Sequence, residues 1–174
     1  MTEKGFAYVR TEWAYGERPV TAAKMNAWDA NIARGFAIAW RLTNHLLGGG
    51  DGVVAGLEGA LQVAAMTPPT LETRVAPGVA FIEETPFVLA QAVDTLAITP
   101  PTIKARVDLV QARLDDWSIT VKEGAEDDVP ETPEPDPASL ALAALYLRPG
   151  MTVIKNTDDG VNGYIEDLRV LLAG

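Results

Sequence analysis

The chain has no cysteine, one histidine (His45) and two serines (Ser118 and Ser139), and these shortages remove much catalytic chemistry before any motif is considered. Without cysteine there are no disulfides, thiolate zinc sites or thiol nucleophiles. A serine hydrolase would need one of the two serines beside His45, and neither sits in a G-x-S-x-G elbow. Basic residues are also scarce. Fourteen Lys and Arg face 24 Asp and Glu, a formal net charge of −10. That balance opposes contact with nucleic acid, which draws on basic side chains displacing counterions from the phosphates. No apolar run approaches the roughly 18 residues of a membrane span. The N-terminal stretch MTEKGFAYVRTEWAYGERP lacks the apolar core of a signal peptide. The expectations are a soluble, non-enzymatic protein that is not exported by that route and has no cofactor, metal, membrane or nucleic-acid partner.

What is present is enough for one domain with a real core: 174 residues, 48% hydrophobic and 22% charged. Residues 1–20 form an aromatic arm carrying Phe6, Tyr8, Trp13 and Tyr15 without a helical stripe, an expected docking element. Thr21 is a good N-cap, and a helix is predicted over 21–47, ended by LLGGGDG. Its apolar positions Met25, Trp28, Ile32, Gly35, Ala39, Leu42 and Leu46 alternate by three and four, with Phe36 and Trp40 widening the stripe. Two readings fit this spacing: an amphipathic helix lying on its own β domain, or a coiled-coil helix packed against copies of itself. In the second, the oligomer interface is Met25, Trp28, Ile32, Gly35, Phe36, Ala39, Leu42 and Leu46. Gly35 there either permits close approach or leaves a weak layer. His45, in the last turn, suits the helix dipole and reads as structural.

Beyond Gly52 the period changes. ALQVAAM, LETRVAP, GVAFIEE, PFVLAQA, DTLAITP, IKARVDLVQARLDD, WSITVKEG, SLALAALYL and TVIKN are short segments broken by Gly, Pro, Asp or Thr. They predict a β domain over 53–174, an antiparallel sandwich or barrel-like fold, so the chain is mainly β with one long N-terminal helix. EGAEDDVPETPEPDPAS, residues 123–139, reads as a solvated acidic loop between two strands of one sheet, its order left open by composition.

The remaining motifs read as structural. GGGDGVVAG is a turn that lacks the ending of a phosphate loop. NTDDGVNGYIED misplaces the glycine that a calcium loop requires. Glu83-Glu84 and Asp115-Asp116, in or beside strands, would point to opposite faces and so not form a carboxylate pair. Arg106 with Asp108, and Asp167 with Arg169, fall on one strand face as structural ion pairs.

Taken in order, YGERPVTAAKMNAWDANI, GGGDGVVAGLEGALQVAAMTPPTLETRVAPGVAFIE, DTLAITPP, RVDLVQARLD, SITVKEG, SLALAALYL and YIEDLR form a series covering about Trp13 to Arg169. The series resembles the N-terminal structural module of bacteriophage tail-fibre and baseplate proteins, the upper-fibre modules. There a V-T-A-x-x-(L/M)-N helix precedes a D-G-V turn and strands ending in V-A-P-G-x-A-x-(I/V). Val20–Asn26 and Val75–Ile82 match these motifs. The resemblance implies a virion structural protein, an intertwined homotrimer and no catalytic residues. It also implies assembly in the bacterial host cytoplasm and contacts with other virion proteins. The family module is usually followed by a long fibre or receptor-binding region, whereas this sequence ends five residues after Arg169, so an anchoring or fibre-attachment adaptor is expected. Two alternatives are a capsid head-fibre or decoration protein held by its arm, and a carbohydrate-binding module using Trp117 and Tyr164.

Overall fold

In the computed structural model, residues 21–172 are described. The first element is a 25-residue helix, α1 (Ala22–Leu46). Thr21 caps it from an extended conformation, its hydroxyl accepting from the Lys24 N–H at 3.4 Å. Gly48, Gly49 and Gly50 end it with φ of 99°, 72° and 88°, values that a residue with a Cβ adopts only at a cost.

Twelve short strands follow: β1 (Gly52–Val54), β2 (Val63–Ala65), β3 (Thr73–Val75), β4 (Gly78–Ile82), β5 (Thr85–Leu89), β6 (Val93–Asp94), β7 (Arg106–Arg113), β8 (Ser118–Lys122), β9 (Ser139–Leu147), β10 (Ile154–Lys155), β11 (Gly163–Asp167) and β12 (Leu171–Leu172). They form three sheets, in the orders β12-β1-β4-β5, β10-β11-β9-β7-β8 and β2-β3-β6. The expected antiparallel sandwich or barrel is corrected in two respects. No sheet closes on itself, and two pairings are parallel, β1 with β12 and β10 with β11. In each case a two-residue strand extends a sheet at its edge, β12 beside β1 and β10 beside β11. GGGDGVVAG is corrected too. Its glycines turn, but Gly52–Val54 is a strand paired with both β4 and β12.

One apolar core serves all three sheets, joining Val53, Ile82 and Phe87, Val63 and Val75, and Val110, Leu140, Leu142, Leu145 and Leu147. Burial of this surface drives folding at roughly 25 cal/mol per Å². SLALAALYL is indeed a strand, β9, but with an irregularity. Its register against β7 slips between Val110 and Gln111, so Leu142 and Ala143 both reach the core.

The acidic segment joins β8 to β9, which flank β7 on opposite sides, so it must cross that strand. It is held down along its length. Glu126 accepts from the backbone N–H groups of Thr102, Ile103 and Lys104 at 2.8, 3.0 and 3.1 Å. Asp127 bridges Ala105, and the Lys104 ammonium meets Asp128 at 2.8 Å. Further on, Gln111 and Asp136 exchange bonds. The Gln111 amide donates to the Asp136 carboxylate at 2.6 Å, and the Asp136 N–H donates back at 2.9 Å. Composition left the order of this loop open; the structure shows it clasped and, as expected, joining two strands of one sheet. Glu83 and Glu84 are the two positive-φ residues of the β4–β5 turn, and Asp115 and Asp116 belong to the β7–β8 turn. Neither doublet lies on strand faces.

Candidate self-association face

The residues that the heptad spacing singles out are exposed. Trp28, Phe36 and Leu46 show 50%, 63% and 69% of their surface, and Met25, Ile32 and Leu42 are exposed as well, as are Gly35 and Ala39. The helix meets its own β domain only near its end, and with other residues. The Trp40 ring stands edge-on to Phe81 at 6.1 Å. Arg41 approaches Glu84 at 3.9 Å, and Asn44, 4% exposed, donates to the Gly50 carbonyl at 2.9 Å. At 3.6 residues per turn the heptad stripe covers an arc of roughly 120°, and Trp40, Arg41 and Asn44 centre about 150° round from its middle. The apolar face therefore points away from the chain's own sheets. Lying on the β domain is not what α1 does.

Trp40 departs from the stripe it was expected to widen. It serves as the bracket between helix and β domain, a role fixed by Phe81, 41 positions on, and invisible in the local spacing. Ile38, exposed beside Ala39, belongs with the apolar face and was not among the expected interface residues. His45 is exposed in the last turn. The docking-arm residues Phe6, Tyr8, Trp13 and Tyr15 lie outside the described residues.

The polar groups elsewhere are engaged with one another. Arg106 and Asp108 are paired as their spacing of two suggested, Nε to Oδ1 at 2.7 Å and Nη2 to Oδ2 at 3.0 Å. Arg106 also donates to Glu123 at 2.6 Å and to the Thr99 carbonyl at 2.8 Å. Together with residues 94–99 and β8 these groups border a cavity of about 420 Å³. Arg169 pairs with Asp167 and reaches the Ala60 carbonyl at 2.6 Å. In the 158–162 turn, Asp159 accepts from Lys155, Asn162 and Val161, and the Lys155 ammonium leads in holding its carboxyl well below the usual range. Asp158 is taken by Arg148 and the Gly160 N–H. Among the described residues no group of three or more His, Asp or Glu is placed to hold a metal ion. Ser118 donates to Asp116 at 2.6 Å and Ser139 to the Pro137 carbonyl at 3.4 Å.

The two aromatics considered for sugar stacking do not share a face. Tyr164 is half-buried and stacked on Tyr146 at 5.2 Å, with the Arg148 guanidinium 5.0 and 5.4 Å from the two rings. That cluster lies on the side of β9 opposite Leu145 and Leu147, which point into the core. Trp117, 54% exposed, instead lies parallel to the core residue Phe87 at 6.1 Å. No family model matches the chain, and no curated protein or solved structure is significantly similar to it.

Proposed function

We propose that this chain is a non-enzymatic virion structural protein, a homotrimeric tail or baseplate component that attaches fibres and is joined along α1. The observation that carries the self-association is the orientation of the helix: its apolar stripe is open to solvent on the side away from its own β domain. A helix draws most of its stability from packing an apolar face, and the described β domain offers that face nothing. Making association part of folding also suits a protein that has no disulfides to rely on. The placement in a phage particle rests on the ordered motif series of the sequence.

Mass photometry of the purified protein at micromolar concentration tests the assembly: a trimer is expected, and a monomer would remove the basis of the proposal. Ile32→Asp is expected to yield monomers whose β domain still melts as before. Labelling of intact particles tests the placement. Label at the tail or baseplate supports it, whereas label on the shell moves the protein to the head.

A further inference from the structure

The same helix face carries a local irregularity that names how the copies fit. Met25, Ile32, Ala39 and Leu46 occupy one heptad position and Trp28, Gly35 and Leu42 the other, so the stripe is bulky at both ends and nearly empty at Gly35 and Ala39. Gly35 has an ordinary helical φ, and a Cβ built on it meets nothing within 4 Å. Among the described residues nothing therefore calls for glycine there, and glycine weakens a helix interior relative to alanine. At that same level the positions flanking the stripe become large and apolar: Phe36 is 63% and Ile38 43% exposed. One heptad away the equivalent positions are Asp29 and Asn31 on one side and Thr43 and His45 on the other. Volume missing from the stripe reappears beside it.

Resting on the self-association reading above, we infer that Phe36 of each helix seats over Gly35 of the neighbouring copy in a parallel bundle. A heptad side chain normally enters a hole formed by four residues of the facing helix. The hole bounded by Ile32, Gly35, Phe36 and Ala39 receives no side chain from the Gly35 facing it, so a ring from beside the seam can turn inward and fill it. Gly35 is the socket and Phe36 the plug, and Ile38 closes the layer from the other flank.

Sedimentation of the full chain across a dilution series separates this fit from a plain gap. Gly35→Leu raises helix propensity, yet in a filled socket it overpacks the layer, so association is expected to weaken about tenfold or more. Phe36→Ala is expected to weaken it similarly by emptying the socket. The double variant Gly35→Leu/Phe36→Ala, with an ordinary layer restored, should return to within about threefold of the wild type, a coupling between the two sites that independent changes do not show. Circular dichroism checks that each variant keeps its helix and sheets. Tighter association of Gly35→Leu, or no effect of Phe36→Ala, would overturn the inference and leave self-association standing. A monomeric wild type would overturn both.

Discussion

Strand β7 and helix α1 are opposites in how one chain treats its side chains. In β7 even the charged and polar residues are sealed: Arg106, Asp108 and Gln111 are buried, the first two paired with each other and all three bonded to β8, the 94–99 segment or the acidic clasp. In α1 even tryptophan, phenylalanine and leucine stand in solvent, and the one buried residue is an asparagine. Burial follows hydrophobicity when a unit contains all the surface it needs. The β domain finds its core within one copy, whereas the helix leaves its apolar stripe open, as the proposed trimer requires.

The sharpest way to break this contrast is to disturb the sealed side. Arg106→Met leaves the Asp108 carboxylate buried with its guanidinium gone, and a broken buried pair costs about 3–5 kcal/mol. Urea unfolding followed by the β-sheet circular dichroism signal should show that loss, and a cost near zero would mean that the pair is not sealed as described. Acid gives a smaller handle on the clasp. The N–H groups of Thr102, Lys104 and Ile103 lower the Glu126 carboxyl from its ordinary 4.5 to about 2. A carboxyl depressed on folding contributes stability that is complete above its unfolded value and fades as pH falls through the folded one. The wild type should therefore lose its advantage over Glu126→Gln between about pH 4.5 and 2, as read from melting curves across that range. An advantage independent of pH would assign the effect to something other than the carboxylate.

Smaller again is a gain. Glu83 and Glu84 hold φ of 49° and 61° in a turn that favours Asn-Gly, so the pair Glu83→Asn and Glu84→Gly should raise stability by about 1 kcal/mol. The smallest expected effect is the most telling. Ile32→Asp should leave β-domain unfolding within about 0.5 kcal/mol of wild type while abolishing the proposed trimer, because its side chain is exposed on the face away from the β domain. If the β domain collapsed with it, the two regions would not be the separate units the burial pattern describes.

The helix was legible because its signals are local: a threonine cap, a three-four spacing and a glycine stop lie within one continuous stretch. The longer strands were legible for the same reason, each bounded by Gly, Pro or Asp. What could not be read depends on distant partners. β1 is three residues whose strand character comes from Phe81 and Ala80 on one side and Leu171 and Leu172 on the other. The clasp rests on pairs such as Gln111 with Asp136, and composition alone makes such a segment look free. At the helix face the spacing marked a stripe that is exposed but could not give its direction, which Trp40 sets by turning toward Phe81.

The crossing of β7 by the acidic segment also sets an order of events as the chain folds. β7 and β8 are joined by the four residues 114–117, whereas β9 reaches the other side of β7 only after residues 123–138 have been drawn across. Closing a longer loop costs more chain entropy before any contact repays it, so the hairpin precedes the third strand. The carboxylates of Glu126 and Asp136 are met in turn along that path, and each native bond formed there shortens the loop still to be closed.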